Sequence, residues 1–470
     1  MNPKAEWGIV GMGVMGTSLS RNFASKGFPL ALFNRHLEGV EEKVALHKQQ
    51  LYPELHLAQP FEELVPFISA LASPRKIFLM LPAGKPTSLF LKELTPLLDD
   101  GDILIDGGNT HYQETEAREK ALTHKGVLFL GVGVSGGEEG ALRGPSLMAG
   151  GNEKAWGLVK DDLIKIAAKN SKGNPCCAFF GSGGAGHFVK MVHNGIEYAE
   201  MQLLAEIYSL LQLRYTSQEI QQILEQWTTS SSKSYLLEIT ATLLSYQEGN
   251  EPFVNFILDQ ASNKGTGAWA STAGISLGYP NTMMSSALQA RYVSSMKVAR
   301  IQNSKKFKTP TPRGEFTTEQ IKKCYDLSRW INHHQGFEML TVASKAYHWD
   351  LNLSEVAAVW AEGCIIKSDL MDTCITLFQK EHSLLQSDPF KVLLDGGKKE
   401  WKIILQQAVA NEVSLITMQS AWSYFIAIKT EKSSANIIQA QRDYFGAHGF
   451  HRIDQLSDDL LHGPWSQSTS

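Results

Sequence analysis

The chain has 470 residues, of which 43% are hydrophobic, 9% aromatic and 20% charged, enough core-forming side chain to exclude global disorder and enough length for about three domains of ordinary size. Lys plus Arg at 44 against Asp plus Glu at 48 gives a net charge of −4. No bulk positive field points to nucleic acid or an anionic lipid surface, and a small-molecule partner is expected instead.

No uncharged apolar run approaches the ~18 to 20 residues that span a bilayer, and Met1 to Val10 lacks a basic end followed by an apolar segment. No membrane partner is expected, and the expected address is the cytoplasm. Cys176, Cys177, Cys324, Cys364 and Cys374 form an odd set without a C-x-x-C pair. They read as reduced packing thiols rather than a disulfide framework or a zinc site.

Up to about residue 182, short runs rich in Val, Ile, Leu and Phe alternate with helix-length segments. The runs Trp7–Val10, Leu30–Phe33, Lys76–Leu81, Asp102–Ile105, Val127–Gly131 and Cys177–Phe180 predict strands of a parallel sheet with right-handed crossovers. Gly27 and Gly126 stand where helices should stop, and Pro86 where one should start. From Ala185 to about Ile438 helical intervals take over, as in Phe188, Val192, Ile196, Leu203, Ile207 and Leu210.

The fold class is therefore an α/β Rossmann-type dinucleotide-binding domain over 1–182, a large all-α domain over 183–438 and a C-terminal tail over 439–470. Within the helical part, His193-Asn194-Gly195-Ile196-Glu197 and Ser234-Tyr235-Leu236 are echoed by His334-Gln335-Gly336-Phe337-Glu338 and Ser368-Asp369-Leu370. The spacings are unequal, so a duplicated unit is an open reading. Asn303 to Gly314, with Lys305, Lys306, Lys308 and Arg313 beside Pro310, Pro312 and Gly314, predicts a solvated loop. After Gln441 the composition is too polar and Gly-rich for a core of its own, and the tail needs a surface to lie on.

Gly11-Met12-Gly13-Val14-Met15-Gly16 follows the first strand and opens a helix. In that setting glycines allow a tight turn and let backbone N–H groups approach a pyrophosphate. A carboxylate at the end of the second strand would accept from a free ribose 2′-hydroxyl, but this chain has Asn34-Arg35-His36 there. A guanidinium grips a 2′-phosphate, so NADP is expected over NAD.

Lys190, His193, Asn194 and Glu197 stand at i, i+3, i+4 and i+7, one face of a helix. By spacing alone a solvated face and a ligand-facing one fit equally. The run Gly183-Gly184-Ala185-Gly186 before the helix favours close approach to a neighbour or ligand. Asp106-Gly107-Gly108-Asn109 and Val134-Ser135-Gly136-Gly137 sit at strand ends, where open α/β sheets bind ligands, although each alone also suits a plain turn.

Taken together, Gly11 to Gly16, Asn34-Arg35, Ile105 to Asn109, Gly133 to Glu138 and Gly186 to Tyr198 closely resemble the decarboxylating 6-phosphogluconate dehydrogenases. The resemblance continues through Lys264-Gly265-Thr266-Gly267, Ala290-Arg291-Tyr292 and Gln439 to His448. It implies an NADP-dependent enzyme of gluconate utilization and the pentose phosphate pathway that converts 6-phosphogluconate to ribulose 5-phosphate and CO2 without a metal. Lys190 is implied as base and later acid, and Glu197 as the acid that protonates the product. Asn109, Ser135, Gly136, Gly137, His193 and Asn194 are implied around the substrate, and Tyr198, Lys264, Thr266, Arg291 and Arg442, with His448 nearby, around its phosphate.

The cofactor is implied to lie on Gly11, Met12, Gly13, Val14, Met15, Gly16, Asn34, Arg35, His36, Leu81, Pro82, Ala83 and Asn109. The resemblance also implies a homodimer in which Arg442 and His448 complete the partner's site. This chain departs from the family pattern at His36, usually Thr, and at Pro82 and Ala268, each usually Lys. Two other classes remain as alternatives: another NADP-dependent 3-hydroxyacid dehydrogenase and a non-catalytic NADPH-binding sensor. The phosphate-binding cations weigh against the first, and the paired Lys190 and Glu197 against the second.

Overall fold

Along the first strand Trp7 and Ile9 enter one apolar core while Val10 enters another, and Ile103, Leu104 and Ile105 divide in the same way. A strand covered on both faces has no polar alternation, which is why these segments read as continuous apolar runs. Side chains such as Phe23 and Phe78, fully buried there, each stabilise the fold by roughly 1.5–3 kcal/mol.

The computed structural model describes residues 3–262, 265–308, 314–381, 383–455 and 458–467. Its large sheet holds β1 (Ala5–Val10), β2 (Leu30–Phe33), β3 (Gln59–Phe61), β4 (Leu71–Leu79), β5 (Ile103–Asp106), β6 (Leu128–Val134), β7 (Leu147–Gly151) and β8 (Cys177–Phe179). The order is β3-β2-β1-β4-β5-β6-β7-β8. The chain runs one way from β1 to β2 and the other way from β1 to β4, so a crevice opens at the carboxyl ends of β1 and β4.

Two strands of this sheet escaped the sequence reading, and one pairing departs from a purely parallel arrangement. β3 is a short edge strand containing Pro60, and β7 ends in Gly150-Gly151 with no β-branched residue. Both lack the usual strand signal. β7 runs antiparallel to β6, and the link between them holds the short helix Gly137–Arg143. Pro86 stands in the first turn of the helix Lys85–Leu94, as expected.

Beyond the sheet, the helices Ala185–Leu211 and Thr318–Tyr347 pack on each other. The seam is close at Gly336, where a Cβ would meet Ile196 Cδ1 at 2.4 Å, and Asn332 Nδ2 donates to Ile196 O at 2.9 Å. Arg329 and Glu200 form an ion pair across it at 3.1 Å with both side chains buried. Removing either partner would leave an uncompensated charge at a cost of about 3–5 kcal/mol.

The echoed segments meet. Ser234 and Ser368 pair as an antiparallel bridge, Tyr235 N donates to Lys367 O and Asp369 N to Lys233 O. His193–Glu197 and His334–Glu338 repeat one geometry at 3.7 and 3.8 Å. His333 is buried with Nδ1 at 2.8 Å from Arg329 O, a structural histidine. The predicted loop from Asn303 starts later, because Lys305 and Lys306 close the helix Lys297–Lys306. Pro310, Pro312 and Arg313 lie outside the described residues. All five cysteines are buried free thiols. Among the described residues no helix is long and apolar enough to cross a membrane.

Residues 1–420 form one compact unit and 421–470 a second. The break expected at 438/439 falls inside the helix Ala435–Gly446. The second unit is organised by a polar hub, in keeping with its composition. Buried Asp443 accepts from Gly449 N at 2.9 Å and His462 Nδ1 at 2.7 Å through Oδ1, and from Gly463 N at 2.9 Å and Trp465 Nε1 at 2.8 Å through Oδ2.

The Gly463 N–H is the largest of the contacts that hold the Asp443 carboxyl well below the usual range. A depressed carboxyl pKa contributes stability above its unfolded value and loses it only as pH falls through the folded one, so the hub stays intact at neutral pH. An amide keeps one acceptor oxygen and turns an N–H2 toward two donors. Asp443→Asn is therefore expected to raise limited proteolysis within 449–463 several-fold with the far-UV spectrum unchanged.

Candidate active site

The helix Ala185–Leu211 approaches β6 and β7 through glycines. A Cβ on Gly133 would meet Lys190 Cβ at 2.3 Å, and one on Gly150 would meet Gly186 N at 2.3 Å. The seam places the polar face of the helix beside the carboxyl end of β6, and that face is buried rather than solvated: Lys190 is 7%, His193 0% and Asn194 7% exposed.

Lys190 Nζ donates to Ser135 Oγ at 2.8 Å and lies 3.3 Å from His193 Nδ1. Ser135 Oγ is 3.2 Å from His193 Nε2, Asn194 Oδ1 is 3.2 Å from His193 Nδ1, and Glu197 Oε2 is 3.7 Å from the same nitrogen. Ser135, the lysine and the histidine thus form one closed polar network. Ser135 is followed by Gly136 at φ +105° and Gly137 at φ +61°. Only glycine adopts such a pair of angles without strain, so the backbone turns sharply beside the amine.

Burial sets the charge states here. It lowers the Lys190 pKa from the ordinary lysine value, opposed first by the Glu197 carboxylate and then by Cys364. It raises the Glu197 pKa, opposed by Lys190 and Arg291. It pushes His193 well below the usual range, with nearby Lys190 adding to the effect. His193 is therefore neutral, and both Lys190 and Glu197 are shifted toward their uncharged forms. An amine and a carboxyl on one helix face with pKa values moved this way are suited to proton transfer.

A second cluster adjoins Glu197. The Arg291 guanidinium lies 3.6 Å from the centroid of the Tyr198 ring and donates to Ser262 O at 3.0 Å. A Cβ on Gly267 would meet Tyr198 Cε2 at 2.4 Å, which brings the start of the helix Thr266–Ser276, with buried Thr266, against the same ring. Lys264 lies outside the described residues. Arg442, whose Nη1 donates to Gln439 Oε1 at 3.3 Å, and His448, edge-on to Phe445, belong to the second unit.

The glycine-rich turn fits a dinucleotide. A Cβ on Gly16 would meet Gly11 O at 1.8 Å, while one on Gly13 would meet nothing within 4 Å. Strand and helix are locked together at one glycine, and a space is left open at the other, over the first turn of the Val14–Ser25 helix. Asn34 Oδ1 accepts from Met12 N at 3.0 Å, which ties the end of β2 to this turn. Arg35 and His36 are exposed beyond it.

Leu81, Pro82 and Ala83 follow β4 at the same edge, with Pro82 O accepting from Thr87 Oγ1 at 2.8 Å. Asn109 is exposed on the turn after β5. The sequence reading missed what holds that turn. Buried Asp106 accepts from Gly108 N, Thr110 Oγ1 and Arg118 Nη1 at 3.0, 2.8 and 3.0 Å, and Arg118 Nη2 donates to Gly84 O at 3.1 Å. Arg118 joins the turn bearing Asn109 to the loop after β4. The signal lay in Asp106-Gly107-Gly108, an aspartate able to accept from the N–H two residues on.

The NAD binding domain of 6-phosphogluconate dehydrogenase matches residues 6–181, and the 6-phosphogluconate dehydrogenase C-terminal domain matches 186–465. The chain belongs to the 6-phosphogluconate dehydrogenase family.

It is 40% identical over 472 residues to the decarboxylating 6-phosphogluconate dehydrogenase of Escherichia coli K12, covering 98% of this chain and 99% of that one. To the decarboxylating enzyme of Lactococcus lactis strain IL1403 it is 41% identical over 474 residues, covering 98% and 99%. The fold superposes on Plasmodium falciparum 6-phosphogluconate dehydrogenase, described in its apo form, with NADP+ and with 6-phosphogluconate, at a TM-score of 0.92 and 32% identity, covering 98% of this chain and 100% of that one. As a 6-phosphogluconate dehydrogenase fold, the sheet supplies the dinucleotide edge and the helical region the face that carries Lys190 and Glu197.

Proposed function

We propose that this protein oxidises and decarboxylates 6-phosphogluconate to ribulose 5-phosphate and CO2 while reducing NADP to NADPH. The observation that carries the reading is the buried Lys190 amine, bonded to Ser135 at 2.8 Å and shifted toward its neutral form, on one helix face with Glu197, which burial shifts toward its acid form. In this reading residues 1–182 supply the cofactor edge, 183–438 the chemistry and the subunit contact, and 439–470 the segment that reaches a partner.

Neutral Lys190 takes the proton of the substrate's C3 hydroxyl as the hydride departs from C3. Bound NADP supplies the hydride acceptor. The product of that step is a β-keto acid, whose carbonyl accepts the electron pair released as the C1 carboxylate leaves as CO2. The Lys190 ammonium stabilises the developing enolate oxygen and returns its proton there. Glu197 then protonates the enediol at its terminal carbon, the substrate's former C2, while Lys190 takes back the hydroxyl proton to leave the ketone. Ser135 and His193 hold the amine in place, Asn109, Gly136, Gly137 and Asn194 contact the substrate chain, and Tyr198, Lys264, Thr266 and Arg291 take the phosphate.

A homodimer with shared sites completes the reading. Phe256, Ile257 and Leu258 are exposed, and Asp259 beside them is tied to Lys297 and Arg300 of the helix Lys297–Lys306, where Val298, Ile301 and the preceding Met296 are also exposed. Tyr444 and Phe445 are 74% and 73% exposed next to Arg442. Such apolar surface supports a partner subunit. Buried free thiols agree with the cytoplasm as its address.

The test is to supply 6-phosphogluconate with NADP and with NAD while following reduced cofactor and CO2 together. NADPH and CO2 in equal amounts are expected; oxidation without CO2 overturns the reading in favour of another 3-hydroxyacid dehydrogenase. Arg35→Asp should lower kcat/KM for NADP on the order of 10–100-fold, because it removes a charge-assisted contact worth about 1.5–3 kcal/mol. Equal use of NADP by the variant and the unaltered chain would remove Arg35 from the cofactor site.

A further inference from the structure

At the end of β2 one carboxylate holds both residues read for the 2′-phosphate. Glu41 Oε2 accepts from Asn34 Nδ2 at 3.0 Å and from Arg35 Nε at 3.3 Å, and Oε1 accepts from Arg35 Nη2 at 2.9 Å. Its position is set by the backbone. Leu37 N donates to Glu41 O at 2.8 Å and Glu41 N to Leu37 O at 2.7 Å, closing the turn 37–41. Through Asn34, which accepts from Met12 N, the carboxylate is joined to the glycine-rich turn itself.

This puts an anion of the chain on the donors that a 2′-phosphate needs. A phosphate and a carboxylate on one guanidinium repel each other, whereas a free ribose 2′-hydroxyl is a donor that a carboxylate accepts. The Arg35 side chain is 68% exposed, so the pair is an exchangeable surface contact rather than a locked one. The neighbouring carboxylate, Glu62, is engaged elsewhere, 3.3 Å from His36 Nδ1 and accepting from Lys43 N at 2.6 Å.

We propose that Glu41 is a specificity-determining residue that opposes Arg35. It competes with the 2′-phosphate for Arg35 and Asn34 and offers an acceptor to the unphosphorylated ribose, so discrimination between NADP and NAD is smaller than Arg35 alone would set. The inference rests on the reading of β2 as the NADP-selecting strand.

The experiment measures binding without turnover. The full chain is titrated calorimetrically with 2′,5′-ADP, which carries the 2′-phosphate, and with 5′-AMP, which does not. The unaltered protein is compared with Glu41→Gln and with Glu38→Gln, the latter removing the same charge from an exposed position on the same turn. Glu41→Gln is expected to tighten 2′,5′-ADP about five-fold and leave 5′-AMP unchanged or weaker, with Glu38→Gln changing both by less than about two-fold.

Unchanged or weaker 2′,5′-ADP binding by Glu41→Gln overturns the proposal, since Glu41 then only props Arg35. An equal gain with 5′-AMP or with Glu38→Gln overturns it as well, by reducing the effect to net charge. Neither probe needs 6-phosphogluconate, so failure of the dehydrogenase reading and failure of this one are separately visible.

Discussion

Lys190→Met is expected to abolish oxidation and decarboxylation together, lowering kcat on the order of 10³-fold or more, because the residue acts in the first proton transfer and again at the enolate. The cofactor edge should be untouched: Gly11 to Gly16, Asn34 and Arg35 lie on other elements, so NADPH binding measured by fluorescence should be unchanged. The methionine fills the lysine's volume next to Gly133, where the backbone already contacts Lys190 Cβ, and the melting temperature should hold.

The pH profile of kcat/KM separates the roles. Lys190 must be neutral, so activity rises as pH climbs through its lowered pKa; Glu197 must be protonated, so activity falls as pH passes its raised pKa. The limbs belong to the coupled pair. Glu197→Gln should remove the alkaline limb and slow protonation at the former C2 while leaving hydride transfer measurable in a single turnover. Normal turnover by a folded Lys190→Met protein would exclude Lys190 from the chemistry.

The second large effect is restoration of activity by mixing two inactive chains. Arg442 and His448 belong to a compact unit of their own, held by Asp443, with Tyr444 and Phe445 exposed beside them. If that unit serves the partner's site, Lys190→Met chains and Arg442→Ala chains form heterodimers with one intact site. That site combines Lys190 from the Arg442→Ala chain with Arg442 from the Lys190→Met chain; the other lacks both. Each heterodimer should regain about half the activity of an unaltered dimer. Demonstrated subunit exchange with no return of activity would place Arg442 in its own chain's site.

Much of the site was legible because its signals are local. A glycine-rich turn between a strand and a helix announces a phosphate cradle, and Arg35 in place of a carboxylate announces the 2′-phosphate, since both depend on residues adjacent in the chain. Helical periodicity put Lys190, His193, Asn194 and Glu197 on one face, while their expected roles as base and acid came from the resemblance of the stretch Gly186 to Tyr198. Whether that face was wet or buried could not be read from spacing. Burial comes from Gly133 and Gly150, dozens of residues away, whose missing side chains let the helix settle on β6 and β7.

The sequence by itself determined the α/β-then-α order, the dinucleotide edge and the shared helix face of Lys190 and Glu197, because strand runs, helical periods and glycine turns are short-range consequences of backbone geometry. Only the tertiary structure decided the antiparallel turn at β7, the meeting of the echoed segments at Ser234 and Ser368, the lowered Lys190 pKa, and the carboxylate hubs at Glu41, Asp106 and Asp443. These depend on distant groups brought together by packing or on desolvation. A charge's surroundings are a property of the folded core, which no local window of residues contains.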